Sequence, residues 1–316
     1  MTENLAIDNS VVVNQVIVLF LLMVTGFIIK KRGILTAPVI KGFSSFLLNV
    51  TLPAMVITAF HMEFSLEMLR DVGVLFLIAS ALHFLSLAGS KFLFRGYPPE
   101  IDKVLRFVTV FSNCGFMGFP IFASIYGQTG VLYGSIYVMV FNLFLWTAGV
   151  TLFTGVKDGE RIKTFLAALK NPGIVAVGIG LLVFIFSPPI PEPVFRTLDL
   201  LGSMTTPLSM IIVGSLLADL KLKEVFTGFS LYYASFIRLI FLPLFTMGLL
   251  YLFGFRGLVL QIMVIAVAMP AAATTVIFTE KYGGDSEYAS RVVFISTILS
   301  MLTIPVMLLI VQGLAG

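Results

Sequence analysis

The sequence predicts an all-α membrane protein of ten transmembrane helices, arranged as two five-helix repeats of opposite orientation. Three observations lead there. Of the 316 residues, 59% are hydrophobic and only 11% charged; an average soluble domain has about 45–50% and about 25%, so this inventory cannot cover a water-exposed surface. Ten apolar stretches of roughly span length follow one another between polar or Gly/Pro breaks. The prolines within them recur at near half the chain length: Pro53 and Pro207 are 154 positions apart, Pro120 and Pro270 are 150 apart.

The stretches run over 11–30, 39–60, 72–94, 103–126, 130–154, 171–187, 198–218, 228–253, 258–280 and 290–312, close to the roughly 20 residues that cross a hydrocarbon core. The first lies where a signal peptide would. Acidic Glu3 and Asp8 precede it, Lys30, Lys31 and Arg32 follow, and no small-residue cleavage site is present, so it reads as an uncleaved span. The second contains Asn49-Val-Thr-Leu-Pro53, matched in the seventh by Met204-Thr-Thr-Pro207. The third carries His83, the fifth Asn142 and the eighth Arg238. The fourth is interrupted by Asn113-Cys-Gly-Phe-Met-Gly-Phe-Pro120 and the ninth by Ala268-Met-Pro270-Ala-Ala-Ala-Thr-Thr275. Residues 1–154 then form one five-span repeat, 155–170 a cytoplasmic loop and 171–316 the second repeat, inverted because five is odd.

Charge placement orients the spans. Sixteen Lys and Arg residues, from Lys30 to Arg291, fall on one side, and only Arg70, Arg196 and Arg256 on the other. The basic side is cytoplasmic, which puts both termini outside. The basic excess is thus topological and does not point to nucleic acid as a partner. A lone cysteine, Cys114, excludes an internal disulfide, and no Cys/His metal cluster or cofactor motif is present, so none is expected.

The broken spans carry the functional argument. A proline removes an N–H and clashes with the carbonyl four residues back, and in a bilayer the freed groups need protein, water or ligand as partners. Gly115, Gly118 and Pro120 lie within six residues of one another, and the break around Pro270 falls where the repeat places it; Pro243 and Pro305 read as simple kinks. The second half of each broken helix is expected to start near Pro120 and near Ala271. Each start presents unpaired N–H groups and the positive end of a helix dipole. Two such ends converging in the membrane favour an anion, most simply a carboxylate.

At these residues the sequence resembles the auxin efflux carrier family, which includes bacterial carboxylate carriers and plant auxin exporters. The matching stretches are Asn49 to Pro53, Asn113 to Pro120 with Ile125-Tyr-Gly127, Ala268-Met-Pro270, and Lys281-Tyr-Gly283 leading to Ser296–Ser300 and Ile304-Pro305. The resemblance implies a fold like that of bile-acid sodium symporters, with spans 4 and 9 crossing at their breaks. Spans 1, 2, 6 and 7 would be a scaffold, and spans 3–5 and 8–10 a moving transport domain. It also implies elevator-type alternating access and a homodimer through the scaffold. The long cytoplasmic loop of the plant members is missing here, so nothing supports auxin itself as the substrate.

Candidate substrate-binding residues are Asn113, Gly115, Gly118, Pro120, Pro270, Ala271, Thr274, Thr275, Asn49 and Thr51. Asn113 has an amide that both donates to a carboxylate and accepts from N–H groups. Thr274 and Thr275 offer hydroxyls either to an anion or to their own helix backbone, and Asn49 and Thr51 lie in the scaffold span expected to face the crossover. Arg238, about ten residues into the eighth span, costs at least about 2.5–3.5 kcal/mol at mid-bilayer without a partner. It reads as a substrate counter-charge or, more simply, as a side chain paired with carbonyls or snorkelling towards the inner surface. His83 is a candidate proton site, or a histidine bonded between helices. No Asp or Glu lies deep in a span. The expected function is therefore a secondary carrier of organic anions, exporting them under the membrane potential. The alternative is a sodium- or proton-coupled carboxylate importer. An intramembrane enzyme is disfavoured: no GxGD, HExxH or GxSxG order occurs.

Overall fold

A computed structural model describes residues 9–154, 166, 169–218 and 227–315. The expected loop at 155–170 lies almost wholly outside the described residues, as do Lys221 and Lys223. The described chain is all-helical; its one pairing of extended backbone is an isolated antiparallel bridge between Ser112 and Ala271.

In chain order the helices are α1 Asn9–Lys31, α2 Ala37–Ala59, α3 Leu66–Leu93 and α4 Pro99–Val110. The run Cys114–Thr154 follows, and Gly127 divides it with φ 60° and ψ −146°; we label its parts α5 (114–126) and α6 (128–154). Then come α7 Pro172–Phe186, α8 Glu192–Leu217, α9 Phe229–Leu252, α10 Gly257–Ala268, α11 Thr274–Tyr282 and α12 Ser286–Ala315. Local chemistry explains several starts. The Ser65 hydroxyl accepts from the Met68 N–H at 3.4 Å ahead of α3, and the Asn171 side chain accepts from the Gly173 N–H at 2.9 Å ahead of α7, with Pro172 in the first turn.

Among the described residues, seven helical stretches are long and apolar enough to cross a membrane: those of α1, α2, α3, Cys114–Thr154, α8, α9 and α12. That is three fewer than the ten apolar stretches of the sequence, and the backbone supplies the reason. The fourth and ninth stretches are each split by a break into short helices, α5 runs on into α6 across Gly127, and α7 has only 15 residues.

Four wide π-turns occur among the described residues, and three of them, at Leu47–Thr51, Cys114–Gly118 and Ile237–Phe241, end two residues before a proline: Pro53, Pro120 and Pro243; the fourth, Leu145–Gly149 in α6, has no proline after it. The wider turn moves the carbonyl four residues upstream out of the way of the proline ring. Pro243, expected to be a simple kink, therefore also sets a local change of helical phase in α9. Pro305 lies within the continuous helix α12.

Close helix approaches depend on glycine. A Cβ at Gly214 of α8 would come within 1.8 Å of the Met23 carbonyl oxygen of α1, and one at Gly26 within 2.2 Å of the Ile211 oxygen. Gly180 of α7 sits against Phe60, and Gly202 of α8 against Met55 of α2. Gly130 and Gly134 let α6 fold back onto Phe122 of α5. The core surrounds α10, where Leu260 and Ile262 to Ala266 are wholly buried, as expected of a helix apolar all round. The outer helices do the opposite: Ile17, Val18, Leu21, Val24 and Ile28 of α1 are exposed, a surface suited to lipid.

Candidate functional site

The two chain breaks, Phe111 to Asn113 and Met269 to Ala273, meet in the interior of the bundle and bond to each other. The Asn113 N–H donates to the Pro270 carbonyl at 2.7 Å, and the Ala272 N–H donates to the Phe111 carbonyl at 3.1 Å. Two hydroxyls complete the junction. Ser112 Oγ donates to the Ala266 carbonyl at 3.0 Å, and Ser296 Oγ of α12 accepts from the Ala271 N–H at 3.2 Å. Backbone groups freed by one break are thus satisfied largely by the other, as an interior without water requires.

The helical second halves start elsewhere than the prolines suggested. In the fourth stretch the helix resumes at Cys114, six residues before Pro120, which lies buried behind the π-turn. In the ninth it resumes at Thr274, and the Ala271 N–H faces Ser296. The proline's missing N–H disturbs the turn upstream of it, so the break is displaced towards the N-terminus.

The candidate residues divide accordingly. Asn113 is 4% exposed and stands at the N-cap position of the π-turn that opens α5, where its carbonyl accepts from the Met117 and Gly118 N–H groups at 3.0 and 3.3 Å. Its side chain makes no capping bond. A Cβ at Gly115 would meet nothing within 4 Å, whereas one at Gly118 would press on the Phe122 ring at 3.2 Å. Gly115 borders open space; Gly118 is a packing glycine. Thr275 is wholly buried and donates its hydroxyl to the Ala272 carbonyl at 2.6 Å. The hydroxyl of Thr274 next to it is buried and has no partner.

Asn49 and Thr51 make their hydrogen bonds within their own helix. Asn49 is exposed and donates to the Ser45 carbonyl at 2.7 Å, and Thr51 reaches only its own Leu47 carbonyl at 3.5 Å. The turn at Cys114–Gly118 packs against the second half of α8, Thr205–Leu217. At its start Thr205 is wholly buried with an unpartnered hydroxyl. Sequence reasoning passed over Thr205, although it precedes Pro207 by two residues as Thr51 precedes Pro53. Asn142 likewise bonds within its own helix, to the Val138 carbonyl at 2.9 Å.

Arg238 is 2% exposed, and its guanidinium donates to three backbone carbonyls: Nε to Met269 at 3.0 Å, Nη1 to Thr109 at 2.8 Å and Nη2 to Val267 at 2.6 Å. The expected pairing with carbonyls is thus present. His83, 2% exposed, does not bridge helices: its Nδ1 contacts the Ala79 carbonyl of its own helix at 2.7 Å, and its Nε2 has no partner. Its ring packs among Phe111, Tyr137, Phe141 and Phe144.

A lipid-facing helical bundle whose two interrupted helices meet in its interior, leaving polar helix ends and unpartnered hydroxyls there, has the build of a membrane transporter. The comparisons agree. A family model described as membrane transport protein matches residues 11–308, and the chain belongs to this family, the auxin efflux carrier family. It is 25% identical over 293 residues to an uncharacterized transporter of Methanothermobacter thermautotrophicus, covering 92% of this chain and 95% of that protein. It is 25% identical over 299 residues to an uncharacterized transporter of Methanocaldococcus jannaschii, with 92% and 95% covered. It is 22% identical over 304 residues to the uncharacterized transporter YfdV of Escherichia coli K12, with 93% and 95% covered. The protein is therefore a multi-pass membrane transporter.

Proposed function

We propose that the protein carries small organic anions, carboxylates first among them, and binds them beside the junction of the fourth and ninth spans. The observation that carries this reading is the junction itself. Helices α5 and α11 both begin there, the Asn113 amide makes no cap, the Thr274 hydroxyl is unpartnered, and space is open at Gly115. The first N–H groups of a helix have no partner within it, and each helix start carries about half a positive charge. A carboxylate accepts from such groups without a metal.

The ten-span, inverted-repeat reading belongs to this proposal. The run Cys114–Thr154 is divided at Gly127: α6, about 40 Å long, is enough for one crossing of a hydrocarbon core of about 30 Å, and α5, about 20 Å long, completes the crossing that α4 begins. The pairing of α1 with α8 and of α7 with α2 relates spans 1 and 7 as it does 6 and 2, the exchange that an inverted repeat of five produces. On this reading α1, α2, α7 and α8 are the scaffold, dimeric through its exposed faces, and the remaining helices move together as an elevator. Both termini lie outside. An inside-negative potential then favours export by about 2.3 kcal/mol per charge per 100 mV.

The test is flux in liposomes of reconstituted protein, with potential and sodium gradient varied separately, against a panel of mono- and dicarboxylates. Potential-driven anion efflux is expected, with at least about a tenfold loss in Asn113→Ala, the factor that one lost charge-assisted hydrogen bond implies. Unchanged binding and flux in that variant would remove the junction as the site; sodium-dependent uptake that ignores the potential would make the protein an importer.

A further inference from the structure

We propose that Arg238 is a tethered cation filling a carbonyl cage made by the C-terminal ends of α4 and α10, and that this cage, emptied of its side chain, binds free guanidinium. The proposal deepens the transport reading above and rests on it for one consequence only: the charge that a coupling cation would supply to the carbonyls is already present in the chain.

The cage is defined by where the three donors go. Thr109 is the penultimate residue of α4, and Val267 and Met269 flank the last residue of α10, so all three carbonyl acceptors of the guanidinium belong to two helix ends. The last carbonyls of a helix lack intrahelical donors, and each C-terminus carries about half a negative charge. Two ends make about one unit, which one guanidinium balances. Carriers with broken helices place coupling cations on such unwound carbonyls and half-helix C-termini. Here a side chain from α9 takes that role, and its planar fork matches three acceptors that a point charge would meet less well.

Its delivery is built into α9. Arg238 is the second residue of the π-turn Ile237–Phe241 imposed before Pro243, and the Tyr137 side chain interacts with the guanidinium from α6. In the first half, 155 positions earlier, His83 occupies the matching place on α3 but bonds to its own Ala79 carbonyl. The cage is therefore served from one repeat only. By bonding to the ends of both broken helices, Arg238 also joins α4, α9 and α10 into one body.

The experiment is ligand rescue of Arg238→Ala in detergent, followed by thermal unfolding. The variant is expected to melt well below wild type. Guanidinium, at concentrations that leave wild type unaffected, should raise its Tm saturably; urea, of the same shape but uncharged, should not. A rise that is absent, or equal with urea, overturns the cage. Should Arg238→Ala not yield folded protein, Arg238→Lys and Arg238→Gln decide: Lys keeps the charge and should melt above Gln, and the reverse order or equality overturns the proposal. In liposomes, wild-type flux should be the same in sodium and in choline at fixed potential, and an absolute requirement for sodium also overturns it. The melting arm needs no substrate. Its failure removes the cage alone, whereas absence of anion flux in wild type removes the transport reading alone.

Discussion

Gly214→Ala tests the helix pair on which the proposed scaffold rests. A Cβ at this position would lie 1.8 Å from the Met23 carbonyl oxygen, a backbone atom that no rotamer change can move. Carbon and carbonyl oxygen approach to about 3.3 Å at closest, so α1 and α8 must separate by about 1.5 Å. The reciprocal contact at Gly26 and Ile211 opens with it, and the bond from Ser215 Oγ to the Gly26 carbonyl, already 3.2 Å long, is lost. A gap of about 1 Å forfeits up to half of each van der Waals well across the interface. With the hydrogen bond, worth about 0.6 kcal/mol between membrane helices, the cost is on the order of 2–3 kcal/mol, as for overpacked cores. Equilibrium unfolding in mixed detergent measures it. The control is Gly178→Ala in α7, where a Cβ would meet nothing within 4 Å. Gly214→Ala within about 0.5 kcal/mol of that control, below the range of overpacking effects, would refute the reasoning.

The other predictions concern the junction. Thr275→Val removes a hydroxyl bonded to the Ala272 carbonyl and should cost about 0.5–1.5 kcal/mol of stability; Thr274→Val should match or exceed wild type in Tm and lower anion flux, because that buried hydroxyl has no partner within the protein. Gly115→Ala should fold normally, since its Cβ meets open space, yet reduce flux by filling that space, which paired Tm and liposome assays will separate. His83→Phe keeps the ring among Phe111, Tyr137, Phe141 and Phe144 and removes a buried unpartnered nitrogen. It should match or exceed wild type in Tm, because an unsatisfied buried group costs about 1–3 kcal/mol, and a fall in Tm beyond that of His83→Leu would contradict this.

Much of the helical order was legible because its signals are local. An apolar run, a Gly127 that reverses the chain, or a proline that widens the turn before it acts within a few residues, and each left a mark in the one-dimensional pattern. The same locality misled at the breaks: Pro120 marked a disturbance whose effect lies upstream, at Phe111 to Gly118. The site was less legible. Thr274 and Thr275 are indistinguishable in sequence, and only the direction of each side chain separates a hydroxyl bonded to Ala272 from a free one. Asn49 is exposed and bonded to Ser45, while Thr205, midway along α8, lies buried with an unpartnered hydroxyl where that helix packs on the turn at Cys114–Gly118.

What the sequence by itself determined is solvent and order: with 11% charged residues this chain has to live in lipid, and its fourth and ninth apolar stretches have to be interrupted. What only the tertiary structure decided is the pairing of the groups those breaks set free. Asn113 bonds to Pro270, Ala272 to Phe111, and Arg238 to Thr109, Val267 and Met269, across separations of 29 to more than 150 positions. A hydrogen bond depends on distance and direction in space, and neither is written in the spacing of residues along the chain.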